Sequence, residues 1–500
     1  MFARTYRPRR VEPPERLELD VPEPLLPGLG AESALDALHT MITGRPEAPP
    51  GATLAPTPSG ADPMLGHLRE GTRDPLNAFL RWRAECGDVV RLHLAGVTVH
   101  LLCHPRHVRL VLQERAKSFF KPMQGRRNLG QVLGNGLLVS EGSFWLRQRR
   151  IAQPAFHKKR VDSFGERMVA ASLALAAEWD ERAETGRPFD VARDMMRLTL
   201  RVVQETLLGT VPSSDSDRIG AAVSELLRET NRKFSRVLNP PSHLPLARNL
   251  RFAENLRVLD EAVHRIIAAR RASPAEDELL SMLLEARDED SGEGMDDRQL
   301  RDEVMTIFLA GHETTANALS WTFYLLGRHP AVARKLREEL AHVLGDRLPR
   351  AEDVPSLRYT RMVLAESMRL YPPAWIVARA PIEDEAIDGF FVPAGTRLLV
   401  SPWVTHRHPE VWPDPEGFDP ERFADPSAID RFAHFPFGGG PRVCIGHAFA
   451  TMESVLVLAT LARRFHLELV PGHPVEPEPL VTLRPRHGVL VRARALSRAP

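Results

Sequence analysis

The stretch HFPFGGGPRVCIGHAFA (434–450) sets Cys444 behind three glycines and an arginine, just ahead of a helix-forming run. A cysteine at a helix N-terminus meets free backbone N–H groups and the positive end of the helix dipole, and both favour the thiolate. A thiolate held there is a nucleophile or a metal ligand. A nucleophile needs a base, and His447, the nearest by sequence, is not identified as one by its position. Zinc needs a second cysteine in a C-x2–4-C pattern, and none is present. Covalent haem attachment reads C-x-x-C-H, which is also absent. A phosphate loop would end in Gly-Lys-Ser/Thr or form a G-x-G-x-x-G turn, and this loop does neither. What remains is a single axial thiolate on a haem iron, a ligand that favours O–O cleavage by donating electron density.

Three other groupings carry chemistry or hold it in place. AGHETT (310–315) lies inside a long apolar run, where Ala310 and Gly311 strip one helix face of bulk and leave room for a ligand. Thr314 can donate to the carbonyl of Ala310 one turn back, a bond that often bends a helix. In ESMRLYPP, Glu366 and Arg369 stand three apart on one helix face and can pair. Trp145 and Arg149 in SFWLRQRR are four apart, again on one face.

The elements around them are mostly helical. Alternation over 88–103 predicts two strands joined at Gly96. Helical periodicity runs from about His107 to Leu370, broken at NPPSHLP (239–245) and EARDEDSGEG (285–294). Residues 371–443 read as loop-rich, a helix follows Cys444 to about Phe465, and GVLVRARAL (488–496) reads as a closing strand. Of the 43 prolines, 11 fall in the first 60 residues. Residues 1–55 therefore read as a leader of mixed or low order, with a short helix near Glu32–Ile42, or as a packed extension.

Composition bounds the class. The chain has 500 residues, 43% hydrophobic and 26% charged, with formal net charge +1, ample for a large core. Near-neutrality argues against a dedicated nucleic-acid binder. Three cysteines in this length are no disulfide framework, and a reducing cytosol is the simplest compartment. The N-terminus shows no apolar signal region. The longest apolar stretch, from Met305, carries His312 and Glu313 at its middle and reads as a buried helix, so no membrane anchor is expected.

The segment Phe437–Gly446 matches F-x-x-G-x-R-x-C-x-G and resembles the haem-binding loop of the cytochrome P-450 monooxygenases. The resemblance runs from about Pro56 to the C-terminus, with the motifs in the family's order, and is nearest to the soluble bacterial members. It implies a mainly α fold with a minor β part: a triangular prism with a long central helix over the haem and a small sheet on the N-terminal side. Residues 56–500 would be one catalytic domain.

The resemblance also implies roles. Cys444 would ligate the iron of haem b (iron protoporphyrin IX), with Phe437 packed near the sulfur. Arg442 would pair with a propionate, and Gly440 and Gly446 would let the backbone turn and approach the porphyrin. Glu313 and Thr314 would form the acid–alcohol pair that delivers protons to bound O2. Glu366, Arg369 and Arg422 (in PERF, 420–423) would form a structural triad. Trp145 and Arg149, and less directly Arg379, would contact the cofactor. Arg147, Arg150, Lys158, Lys159 and Arg160 would be a solvated face or a basic dock for an acidic electron donor.

The implied activity is insertion of one O2 atom into a lipophilic molecule, with two electrons from a separate ferredoxin or flavodoxin and its reductase, in the cytoplasm. Desaturation, ring coupling or peroxide-driven oxidation at the same site is the alternative within enzymes. A haem sensor or carrier is the alternative outside them, although it would not need Glu313 and Thr314. The expected pocket includes Phe120, Leu138, Ala310, Trp375, Ile376, Val377, Val481 and Thr482, an apolar set that suits a lipophilic ligand.

Overall fold

The computed structural model describes residues 9–16, 48–208, 213–235, 244–273 and 278–496. The helix expected near 32–42 lies outside these residues. At the centre runs a helix of 32 residues, Asp297–Arg328, about 48 Å long at 1.5 Å per residue. It starts at a capping box: the Asp296 carboxylate accepts from Gln299 N at 2.7 Å, and Gln299 Oε1 accepts from Asp296 N at 3.4 Å. It stops at His329 because Pro330 opens the next helix and has no N–H to continue the ladder. Helices Gly165–Thr185, Val191–Val203, Arg358–Leu370 and His447–Ala462 surround it, joined through a single large core. Its aromatic centre is Trp179, flanked by Phe189, Phe323 and Phe465 at 5.4–5.8 Å between ring centroids.

A five-stranded sheet forms the second layer, in the order 89–94, 97–102, 397–400, 377–381, 119–120. The first two strands make the hairpin expected at Gly96, with Val89 opposite Leu102. Both turn residues take positive φ, Ala95 at +46° and Gly96 at +86°, the arrangement a two-residue hairpin loop needs. Strand Val97–Leu102 then runs parallel to Arg397–Val400, and the other pairings are antiparallel. The segment read as loop-rich therefore supplies two of the five strands, a correction to the sequence reading. Its strands are only four or five residues long and pair with chain nearly 300 residues away, so no local alternation marks them. The closing strand, Leu490–Ala495, pairs with Phe465–Leu469 and Phe189–Asp190.

The small residues of this fold include one that closes the cysteine loop. Gly440 has φ +63°, and a Cβ there would lie 1.7 Å from the Leu112 carbonyl oxygen. Only glycine permits the loop to cross the 110–114 segment this closely.

Candidate active site

The central helix is buried along nearly its whole length, yet a stripe opens at its middle. Ile307, Gly311 and Thr314 are half-buried and Ala310 is exposed, a spacing of three, four and seven residues that defines one face. Exposure of small residues in the middle of a core helix means that the face borders an interior cleft. Thr314 Oγ1 donates to the Ala310 carbonyl at 2.7 Å, as the sequence suggested, and Thr315 Oγ1 donates to Gly311 O at 3.2 Å. Thr199, from the neighbouring helix, donates to the His312 carbonyl at 2.9 Å. Three hydroxyls thus engage carbonyls of the same two turns.

Cys444 stands on the loop leading into helix His447–Ala462, which packs directly on the central helix. Its backbone N–H donates to Phe437 O at 2.9 Å, and Phe437 packs edge-on to His447 with centroids 4.4 Å apart. The thiol is accessible. Surrounding protein nevertheless pushes its pKa up by burial, against the opposing pull of the Gly446 N–H and the Arg149 guanidinium. The helix N-terminus alone was expected to lower it, so burial outweighs that effect in the protein by itself. Arg149 lies near enough to act on the thiol, and it donates to Val443 O at 2.7 Å and Gln153 Oε1 at 3.4 Å. Gly446 has ordinary φ, and a Cβ there would meet nothing nearer than the Cys444 sulfur and Phe156 at 4.0 Å.

Cations gather at one rim of the cleft. Arg442 stacks on the Trp145 ring (3.9 Å) and donates to Glu141 Oε2 at 2.5 Å. Lys121 Nζ donates to the carbonyls of Leu137, Leu138 and Ser140 at 2.8–3.3 Å. Its pKa falls well below the usual lysine value, through burial first and the neighbouring Arg442 next. Arg379 donates to the carbonyl of Ala378 at 2.8 Å, and burial brings it down to about 10. Buried Arg126 is likewise brought down to about 10. Four cations, Lys121, Arg126, Arg379 and Arg442, act on one carboxylate, Glu141. Such an excess suits a bound dianion. Sequence reading missed Lys121, Arg126 and Glu141, because no spacing links them to the cysteine loop.

Glu313 does not share the open face with Thr314. It is buried, accepts from Thr482 and is influenced by Arg484, and burial raises its pKa. Asn317 Nδ2 also reaches Thr482 Oγ1, at 3.0 Å. Thr482 is buried between Glu313 and Asn317. Trp375 is buried too: its ring packs on Phe79 in the second core cluster (5.9 Å), and Nε1 donates to Leu480 O at 2.8 Å. Phe120 is buried on the sheet edge opposite Ala380. Leu138 is 45% exposed, and Ile376, Val377 and Val481 are half-buried, so these four can meet a ligand.

Two further acids escaped the sequence reading. Glu453 is fully buried on the helix after Cys444, neither carboxyl oxygen has a hydrogen-bond partner among the described residues, and burial raises it well above the carboxylate range. Glu303 accepts from Leu137 N at 3.0 Å and is pushed up to about 8 by burial. With Asp302, which accepts from Asn135 N at 2.8 Å, it clips the 135–138 loop to the central helix.

The triad assembles away from the cleft. Arg369 makes a two-pronged pair with Glu366 (2.6 and 2.8 Å), both fully buried, and donates to the carbonyls of His406, Pro415 and Gly417. Arg422 Nε lies 3.4 Å from Glu366, and its other nitrogens hold the carbonyls of Pro413 and Asp414. Much of the supposed docking face is neutralised internally: Arg147 pairs with Glu293, Arg150 with Asp288 and Lys158 with Asp162.

The Cytochrome P450 family model matches residues 56–491. The chain is a cytochrome P450. It is 38% identical over 442 residues to Cyclooctatin synthase of Streptomyces melanosporofaciens, covering 86% of this chain and 93% of that protein. It is 35% identical over 453 residues to Pentalenene oxygenase of Streptomyces avermitilis, covering 89% and 98%. This P450 is accordingly a haem-thiolate monooxygenase, an oxidoreductase of lipophilic small molecules that draws electrons from a redox partner. No helix among the described residues is long and apolar enough to cross a membrane. The site fits the family's cofactor on its own chemistry: one accessible thiol, one helix face free of bulk, and surplus cations at the rim for a group with two carboxylates.

Proposed function

We propose that this P450 binds haem b with Cys444 as the iron ligand and hydroxylates a terpene-type polycyclic hydrocarbon or its alcohol. The observation that carries this reading is an accessible Cys444, within electrostatic reach of Arg149, at the start of a helix packed on the central helix whose open stripe includes Ala310. The substrate class rests on the relatives, whose names include pentalenene and cyclooctat-9-en-7-ol. The apolar surfaces of Leu138, Ile376 and Val377 suit such a molecule.

When bound, the haem supplies O2 activation and electron storage. The protein's own work is positional and protic. Arg442 and Trp145 hold the carboxylate edge, assisted by Lys121, Arg126 and Arg379. Arg149 braces the cysteine loop through Val443 O and offsets thiolate charge. Phe437 covers the sulfur side, Gly440 permits the loop path, and Gly446 leaves the close approach open. Thr314 Oγ1, its proton engaged by Ala310 O, offers lone pairs that order a water in the cleft. Glu313, kept protonated to higher pH by burial, holds a proton at its carboxyl and exchanges it through Thr482.

Electrons come from a separate ferredoxin or flavodoxin with its reductase. Lys159 and Arg160 would contribute to the docking face. Three cysteines in 500 residues, none of them paired with another, suit a cytoplasmic setting. The test is the optical spectrum of the reduced protein under carbon monoxide, with and without Cys444→Ser, followed by titration with pentalenene. A strongly red-shifted Soret band, lost in the variant, and a substrate-induced spin-state shift are expected. A histidine-type band in the wild type would overturn the ligand assignment, and absence of a spin-state shift would overturn the substrate class.

A further inference from the structure

Residues 9–16 of the proline-rich leader lie across the outside of the cation rim. Their first half adds to the sheet side: Val11 N donates to Ile382 O at 2.7 Å, Arg9 N donates to Asp384 at 3.1 Å, and Arg10 pairs with Glu383 at 3.1 Å. Their second half reaches the site. The carbonyls of Pro14 and Glu15 accept from the two terminal nitrogens of Arg126, at 2.7 and 3.1 Å, while Arg126 Nε donates to Val139 O at 2.7 Å. Glu15 O also accepts from Glu141 N at 3.1 Å, the residue that holds Arg442.

The Glu15 side chain anchors this contact. One carboxylate oxygen accepts from Ser143 N and the other from Ser143 Oγ, both at 2.9 Å. Helix Gly142–Ala152, which carries Trp145 and Arg149, has no side-chain cap from its own N-cap residue, Glu141. Glu15 supplies that cap from the leader, with the charge sign that a helix N-terminus favours. Gly142 leaves the room for it: a Cβ there would lie 2.4 Å from Glu15 Oε1. Arg16 continues the contact by stacking on Phe144 at 4.0 Å.

We propose that this leader strap is a positioning element for the haem, in which Glu15 pins residues 14–15 so that their carbonyls hold Arg126 buried at the carboxylate rim. Arg126 donates to three backbone carbonyls, those of Val139, Pro14 and Glu15, and these bonds hold its guanidinium buried beside Glu141 and Arg442, the two charged groups that act on it. Without the strap, two of its three nitrogen positions lose their acceptors, and the guanidinium is free to turn into water, where its field is screened. The same release removes the cap of the helix that presents Trp145 and Arg149. The strap thus serves cofactor retention and the electrostatic setting of the iron, and it rests on the haem reading given above.

The test uses the full-length haem-loaded protein, after the carbon monoxide spectrum has established thiolate ligation in the wild type. A failure there would overturn the haem reading and is thereby separated from a failure of the strap. Haem transfer to excess apomyoglobin and the ferric–ferrous midpoint potential are then measured for Glu15→Ala, Glu15→Gln and Arg10→Ala. Glu15→Ala is expected to speed haem loss at least fivefold and to lower the midpoint potential, because a screened Arg126 favours the reduced iron less. Glu15→Gln, which keeps an acceptor for Ser143, should recover most of both effects. Arg10→Ala, which cuts the strap's far end only, should behave as wild type. Wild-type haem loss and potential in Glu15→Ala would overturn the proposal, as would an equal effect from Arg10→Ala. If Glu15→Ala yields too little protein, the same two readings are taken on Ser143→Ala, which removes one of the two anchoring bonds.

Discussion

Arg369→Ala should unfold the region that carries the cysteine loop, and the structure says how strongly. The substitution leaves the Glu366 carboxylate fully buried without its two-pronged partner. Breaking a buried pair in this way costs about 3–5 kcal/mol. Three carbonyls, those of His406, Pro415 and Gly417, also lose their donor. At about 1 kcal/mol each the gross loss reaches about 6–8 kcal/mol, and water entering the gap reduces it. A net loss of about 5 kcal/mol is a large share of a typical stability of about 5–15 kcal/mol.

Arg369→Lys separates the two contributions. It keeps a positive charge beside Glu366 but gives up the fork that reaches three carbonyls, so about half the loss is expected, about 2–3 kcal/mol. Urea unfolding of the haem-loaded protein, followed by tryptophan fluorescence, is the assay. Trp412 is a local reporter because its ring lies 5.2 Å from the Arg369 guanidinium. An Arg369→Ala protein within about 1 kcal/mol of wild type would refute the reasoning. Equal losses in the two variants would show that the stranded carboxylate is not the dominant cost.

Gly440→Ala should destabilise by at least about 3 kcal/mol, since it combines an unfavourable positive φ with a backbone clash at Leu112 O, and haem loading checks it. Thr314→Ala removes the hydroxyl on the open face and should divert consumed O2 to peroxide, lowering product per electron about tenfold; unchanged coupling counts against its role in proton delivery. His100 is buried with neither ring nitrogen bonded, and burial lowers it to about 4. Its folded pKa lies below the unfolded value near 6.5, so the unfolded chain takes up the proton first as pH falls. Its contribution is full above about pH 6.5 and is lost progressively towards pH 4. The drop in unfolding free energy between pH 7 and 5 should therefore be about 2 kcal/mol smaller in His100→Leu than in wild type.

The cysteine loop, the open helix face and the Glu366–Arg369 pair were legible because each depends on residues close in sequence. Four positions around Cys444 and two around Thr314 lie within a few residues, and local geometry alone brings them together. Arg422 was legible only through resemblance, since 53 residues separate Glu366 from the backbone N–H of Asp419 that also reaches it. The cation rim was illegible for the same physical reason. Arg379 came only through the resemblance, and it meets Lys121 and Arg126 because its strand pairs with Phe119–Phe120 across about 260 residues of chain that carry no spacing rule.

Sequence by itself determined the mainly helical class, the thiolate loop and the family, since periodicity, capping and a dense motif are properties of neighbouring residues. Tertiary structure decided which way side chains face. It buried Glu313, Thr482 and Trp375 and left Ala310 and Thr314 on the open face of the central helix. It made two strands out of a proline-punctuated segment by pairing them with distant chain. It also bound residues 9–16 to the site, where composition left both a loose leader and a packed extension open. In each case the deciding energy is burial or a hydrogen bond made across tens to hundreds of residues, and only the folded chain brings those partners into contact.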